Sequence, residues 1–173
     1  MLNLEKVTKI AATIQLLILD VDGVLTNGNI WYDSNGVESK QFNTQDGHGL
    51  RQLAEHNIDV AIISGNHSPS VTHRMNILNI DLVYQGQQKK QYAFEDILNK
   101  TGYSPTNIAY MGDDEADMLI IQQIGLKIAV NNAIDAVKAI VDWETKRAGG
   151  QGAVREICDL LIASKNEYIK YRL

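Results

Sequence analysis

The sequence predicts an α/β protein: a parallel, Rossmann-like sheet with helices on both faces. Three observations predict it. Short apolar runs alternate with amphipathic helical stretches along most of the chain. The first run, Leu16 to Leu19, is continuously apolar and ends in acidic and glycine residues, the pattern of a central strand buried on both faces. Finally, 173 residues, 45% apolar and 21% charged, suit one domain with a buried core and exclude wholesale disorder.

The first stretch needs one check. Lys6 and Lys9 precede an apolar run from Ala11 to Leu19, faintly like a secretory leader. Asp20-Val21-Asp22 follows at once without a small-x-small cleavage site, and the run is too short to span a bilayer. It reads as a helix leading into a buried strand, Leu16 to Leu19. Next come Asn29 to Asp33 and Val37 to Phe42, flanking Ser34-Asn35-Gly36. Asn-Gly between aromatic and β-branched residues signals a hairpin. This hairpin, about 29–42, is an insertion in a single domain spanning 1–173, with no large cap domain.

Asp46 to His56 follows as a helix, with Leu50, Leu53 and Ala54 on one face. Ile58 to Ser64 is a strand. Ser68 to Leu78 is a helix, with Pro69 tolerated in its first turn. Asp81 to Tyr84 is a short strand, and Lys89 to Lys100 a helix. Ile108 to Met111 is a strand, Asp114 to Ile124 a helix, Leu126 to Val130 a strand and Asn132 to Ile140 a helix. Gly149 to Gly152 reads as a flexible loop before an amphipathic helix from Ala153 to Ala163. Glu167 to Leu173 is a polar tail.

Composition narrows the function classes. Sixteen basic and 21 acidic residues give a net charge of −5, with no Lys/Arg-rich block, so nucleic acid is not an expected partner. No membrane segment is expected. The single cysteine, Cys158, can form neither an intrachain disulfide nor a zinc site alone. It reads as a small buried apolar residue in a reducing cytoplasm. No Gly-x-Gly-x-x-Gly follows the first strand, which argues against dinucleotide binding.

Ligands of open α/β sheets bind beyond the carboxyl ends of the strands. Those ends carry Asp20-Val21-Asp22-Gly23, Ser64-Gly65, Gln85-Gly86 and Gly112-Asp113-Asp114. Asp20 and Asp22, two apart in extended backbone, face one side. Their repulsion splits their proton affinities, leaving one as nucleophile or metal ligand and the other as acid. Taken alone, the tetrapeptide also reads as an acidic turn. Asp113, Asp114 and Asp117 read as a helix cap or as a second carboxylate set. Together with Asp20 and Asp22 they call for a cation, and all-oxygen ligands favour Mg²⁺ over Zn²⁺. The Ser64 hydroxyl and Gly65 amide suit a phosphate oxygen or a simple turn. Lys89 and Lys90 either neutralise phosphate or are solvated.

These residues together resemble the haloacid dehalogenase-like phosphohydrolases. Asp20 to Thr26 matches their first motif, Asp-x-Asp-Gly-x-x-(Thr/Val). Ser64 matches the second-motif serine, Lys90 the third-motif lysine, and Gly112 to Asp117 the fourth motif, Gly-Asp-Asp-x-x-Asp. From Leu16 to Ile162 the chain further resembles the 3-deoxy-D-manno-octulosonate 8-phosphate phosphatase family, through Asp20 to Gly28, Phe42 to Gly49, Tyr84 to Gln87, Tyr110 to Asp114 and Gly149 to Leu160.

The resemblance implies a Mg²⁺-dependent phosphatase of a phosphorylated sugar acid in lipopolysaccharide sugar synthesis. It implies Asp20 as nucleophile and Asp22 as acid and base. The metal would lie on Asp20, Asp113 and the Asp22 carbonyl, with Asp114 and Asp117 orienting its waters. Ser64, Gly65, Asn66 and Lys90 would bind phosphate or substrate. It also implies a homotetramer in which inserted hairpins pack together and neighbouring subunits complete each site, bringing Arg155 and the Gly-rich segment near a partner's substrate. Two positions depart from the pattern: Asn66 and Gln45 stand where members often carry arginine. Phosphatases of nine-carbon 9-phosphate sugar acids also lack the first of these, so they form the alternative.

Two rival classes use similar layouts. A receiver-like phosphoacceptor also has clustered Asp, Ser/Thr and Lys on an α/β sheet, but its acidic residues are arranged differently. A non-catalytic scaffold predicts no metal-dependent activity. His48 in Asp46-Gly47-His48-Gly49 is a weaker candidate, read as structural. Arg74 reads as solvated, Trp31 and Tyr32 as hairpin packing or interface, and His56, His67 and His73 as surface residues.

Overall fold

The Leu16–Leu19 run is fully buried and forms strand β1 at the centre of a six-stranded sheet. The structure, a computed structural model, describes residues 2–170, with side chains through Lys165, so the side chains of the polar tail from Glu167 lie outside the described residues. Ahead of β1 lies helix α1, Leu4–Ala11, its start capped by the Asn3 side chain. The hairpin follows as β2, Trp31–Tyr32, and β3, Glu38–Ser39, antiparallel to each other and separate from the main sheet.

The chain then alternates: α2, Thr44–Glu55; β4, Asp59–Ile63; α3, Pro69–Leu78; β5, Leu82–Tyr84; α4, Lys90–Thr101; β6, Ile108–Gly112; α5, Met118–Ile121; β7, Leu126–Ala129; α6, Asp135–Lys138; β8, Trp143–Glu144; and α7, Ala153–Lys170. Sheet order is β5-β4-β1-β6-β7-β8, all parallel. Right-handed crossovers put α2 and α3 on one face and α4 to α6 on the other. α7 and α1 join α2 on the first face.

Strand order reverses between β1 and β6, which makes the gap beyond their carboxyl ends the expected ligand site. Leu19 pairs with Met111, so the next residues, Asp20 and Gly112, reach that edge side by side.

The structure departs from the sequence expectation in a few elements. The helix expected over Asp114 to Ile124 splits into a 3-10 turn, Glu115–Asp117, and the short α5. The cause is Asp117, whose carboxylate bonds back to the amides of Asp113 and Asp114 at 3.0 and 3.3 Å and tightens the turn. The helix expected over Asn132 to Ile140 shrinks to the four residues of α6. The edge strand β8 has only two residues, too few for a periodic signal. The Gly149–Gly152 segment, expected to be flexible, is anchored: Gly149 donates to Asn132 Oδ1 at 2.6 Å and Gly150 to the Val24 carbonyl at 2.9 Å. It packs behind the loop after β1. The last helix runs beyond Ala163, to Lys170.

Candidate active site

Beyond β1 and β6 lies an open cavity of about 170 Å³, lined by Asp20, Asp22, Ser64, Gly65, Asn66, Lys90, Asp113, Asp114 and Ala116. Four loops converge on it, and each side chain is set by its element. Asp20 is the first residue after β1, its amide held by the Met111 carbonyl at 3.2 Å. Gly23 turns the chain away at φ +86°, and a Cβ there would run into the Asp113 carboxylate. Only glycine lets the first acidic loop pass the second.

Asp117 is the hub. It is fully buried, and Oδ1 accepts from Lys90 Nζ at 2.7 Å and from the Tyr110 hydroxyl at 2.6 Å. Oδ2 takes the two loop amides. Lys90, first residue of α4, also reaches Asp20 Oδ1 at 2.9 Å. A buried ammonium thus bridges two carboxylates. Burial disfavours its charge, but Asp20 and Asp117 outweigh that and hold its pKa above the usual lysine value.

The carboxylates are crowded. Burial, then the charge of Asp117, raises the Asp20 carboxyl to about 7 against the pull of Lys90. Burial, then Asp20 and Asp117, raises Asp113 to about 8. Asp113 Oδ1 is buried without a hydrogen-bond partner. Carboxylate oxygens of Asp20, Asp113 and Asp117 lie within 4.8 Å of one another. An orphaned oxygen among crowded carboxylates fits a hard divalent cation with oxygen ligands. Asp117 has both oxygens committed to hydrogen bonds, so Asp20 and Asp113 are the available carboxylates.

The remaining sequence candidates divide. Buried Ser64 presents Oγ near the cavity, where it accepts the Asn66 amide at 3.3 Å. Gly65 is open: a Cβ at this position would meet nothing within 4 Å. Asn66 donates to Asp22 Oδ2 at 3.1 Å. Asp114 caps the 3-10 turn through Glu115 N at 2.7 Å while lining the cavity. Arg155 does not join the site of its own chain: its guanidinium pairs with Asp159 at 2.7 Å, and its amide donates to buried Asp46 at 2.8 Å. Gln45 accepts from Arg147 Nη1 at 2.8 Å, so a guanidinium stands beside this position. Asp46 to Gly49 lie inside α2 with His48 exposed. Cys158 is buried, and burial pushes its thiol up.

Two residues that contact the site's carboxylates carry no clear sequence signal. Tyr110 sits inside an apolar strand, where only its polar tip two residues before Gly112 hints at a buried partner. Lys40 is hidden in the hairpin, where a solvated lysine is commonplace; its ammonium lies 2.5 Å from Asp22 Oδ1.

Comparison with known proteins gives the family. The family model for haloacid dehalogenase-like hydrolases matches residues 78–157. The 3-deoxy-D-manno-octulosonate 8-phosphate phosphatase of Escherichia coli is 45% identical over 157 residues, 91% of this chain and 84% of the relative. The chain belongs to the haloacid dehalogenase-like phosphatases, in the 3-deoxy-D-manno-octulosonate 8-phosphate phosphatase family. It is an enzyme of the phosphatase class, which removes the receiver and scaffold alternatives.

Solved structures of relatives overlay closely on this phosphatase. That of Moraxella catarrhalis, in complex with a magnesium ion, a phosphate ion and a KDO molecule, is 37% identical with a TM-score of 0.92, covering 98% of this chain and 97% of that one. The cobalt-bound enzyme of Haemophilus influenzae is 36% identical with a TM-score of 0.87, covering 91% and 92%.

Proposed function

We propose that this phosphatase uses Mg²⁺ to release phosphate from 3-deoxy-D-manno-octulosonate 8-phosphate through an aspartyl-phosphate on Asp20. The observation that carries this is the close fold match to a relative whose complex holds magnesium, phosphate and KDO, on a chain whose strand ends converge on one acidic cavity.

The residues divide the work as follows. Asp20 attacks phosphorus in line; its bond to phosphorus forms as the bond to the sugar O8 breaks. The electron pair stays on O8, which takes a proton from Asp22. Water then attacks the aspartyl-phosphate, Asp22 takes the water's proton, and Asp20 is regenerated. Lys90 offsets the charge of the incoming phosphate beside Asp20, and Asp117 and Tyr110 fix Lys90 in place. Ser64 and the Gly65 amide suit the transferred oxygens, while Asp114 suits water at the metal. Asp20, Asp113 and the Asp22 carbonyl would hold Mg²⁺, which would supply charge neutralisation for the phosphoryl group. That need is large: two like charges ~4 Å apart repel by about 4 kcal/mol at an effective dielectric near 20.

We also infer a homotetramer. Its support is the hairpin, where Ile30, Trp31, Tyr32 and Val37 are 61%, 59%, 65% and 59% exposed in the single chain. A partner covering the hairpin would bury these apolar side chains, and a neighbour's Arg155 and Gly-rich segment would then be available to complete the substrate site. We place the enzyme in the cytoplasm. Among the described residues no helix is long and apolar enough to cross a membrane.

The test is Mg²⁺-dependent phosphate release from the octulosonate 8-phosphate beside a nine-carbon 9-phosphate sugar acid. The expected kcat/KM favours the octulosonate by roughly tenfold or more. Preference for the nine-carbon acid would reassign the substrate while keeping the chemistry.

A further inference from the structure

Lys40 occupies an unusual place for a hairpin lysine. It follows β3, whose neighbours are mostly exposed, yet its side chain is only 4% exposed. Its ammonium reaches Asp22 Oδ1 at 2.5 Å and Glu38 Oε1 at 3.0 Å. The other Asp22 oxygen is held by Asn66 at 3.1 Å, from the loop after β4. Asp22 is therefore gripped from two sides, by elements that share no backbone, while its side chain stays 28% exposed toward the cavity. Lys90 serves a different pair, Asp20 and Asp117. The two buried ammoniums are divided between the two carboxylates of the first loop.

We propose that Lys40 is a positioning residue for Asp22: it links the inserted hairpin to the proton-transfer step. This rests on the reading of Asp22 as acid and base given above. When the P–O8 bond breaks, its electron pair goes to O8 and the Asp22 proton follows, leaving a carboxylate on Asp22. Lys40 stands where that negative charge appears, and with Asn66 it fixes the carboxyl in one orientation. A preorganised cation facing developing charge, away from bulk water, acts on the barrier rather than on binding. The hairpin that carries Lys40 also carries the exposed apolar side chains of Ile30, Trp31, Tyr32 and Val37.

Leaving groups separate this role from a structural one. An alkyl oxygen such as O8 needs a proton to depart, whereas p-nitrophenolate does not. The parameter kcat/KM covers binding through departure of the leaving group and leaves out hydrolysis of the adduct. We would measure kcat/KM for 3-deoxy-D-manno-octulosonate 8-phosphate and for p-nitrophenyl phosphate, both with Mg²⁺, in wild type, Lys40→Met, Lys40→Arg and Asp22→Asn. In Lys40→Met the ratio of the first ester to the second should fall by roughly tenfold. Lys40→Arg should restore most of it. In the Asp22→Asn background, Lys40→Met should change the ratio by less than about twofold, because the two act through one group.

Equal losses on both esters, or full multiplication of the two substitutions, would overturn the proposal. Circular dichroism checks the fold. Should Lys40→Met not fold, Asn66→Ala, which removes the opposite grip, should lower the ratio in the same direction, and an unchanged ratio would count against the proposal. Wild-type enzyme silent on the octulosonate ester would sink the substrate assignment alone. The Lys40 comparison then runs on the nine-carbon 9-phosphate, which also has an alkyl leaving oxygen.

Discussion

The inner half of the site and the hairpin beside it are built on opposite terms. At Asp117 both carboxylate oxygens have partners: Lys90, Tyr110 and two loop amides converge on one buried group. Removing one member of such a network strands the others in a low-dielectric interior. The hairpin has strands of two residues each, pairs with nothing in the main sheet, and leaves its large apolar side chains exposed. One region is complete within a single chain, and the other presents a surface that the single chain does not use. The difference teaches where each kind of substitution should be felt: inner changes in turnover, hairpin changes in assembly and in the grip on Asp22.

The strongest way to break that division is Lys90→Met. It removes the one ammonium between Asp20 and Asp117. Turnover should fall by roughly 10²- to 10³-fold, measured as phosphate release, with the oligomeric state unchanged. A mild loss would mean that the cavity's charge is neutralised elsewhere.

A second effect is smaller and depends on pH. In the metal-free fold, Asp20 and Asp113 titrate at about 7 and about 8, far above an ordinary carboxyl. The folded chain then binds protons that the unfolded chain has released. Metal-free stability should therefore fall as pH rises through that range and recover below it. Mg²⁺ must displace those protons, so its binding strengthens as pH rises. Melting experiments should show a larger Mg²⁺-induced rise in Tm at about pH 8.5 than at about pH 6. An equal rise at both would contradict the crowded-carboxylate picture.

The smallest effect on the fold should come from the hairpin. Trp31→Lys changes an exposed side chain, so the stability of the subunit should move by about 0.5 kcal/mol or less. Light scattering should nonetheless show loss of the proposed tetramer. Unchanged mass would place the assembly surface elsewhere.

Much of this architecture is legible in the sequence because buried parallel strands write apolar runs: β1 is unbroken, β6 is apolar up to its closing glycine, and β4 and β7 are interrupted only at Asp59 and Lys127. The motif residues at their ends follow from the rule that ligands sit at carboxyl edges. What escapes is set by tertiary partners. The break between Glu115 and Met118 arises from a carboxylate turning back on its own loop. The packing of Gly149 against Gly23 joins segments far apart in sequence. Lys40 looks like any hairpin lysine until the fold brings it onto Asp22. Arg155, singled out by the family pattern, points within its own chain at Asp159. In the proposed tetramer it would act on a neighbouring site.

The central claim is that Asp20 carries the phosphoryl group. The direct measurement mixes enzyme, Mg²⁺ and substrate, quenches with acid within milliseconds, and maps the adduct by mass spectrometry. One phosphoryl group should be found on the peptide holding Asp20 and be absent in Asp20→Asn, whose turnover should be lost with the fold intact. Phosphate release by Asp20→Asn at the wild-type rate, or an adduct on another residue, would contradict it.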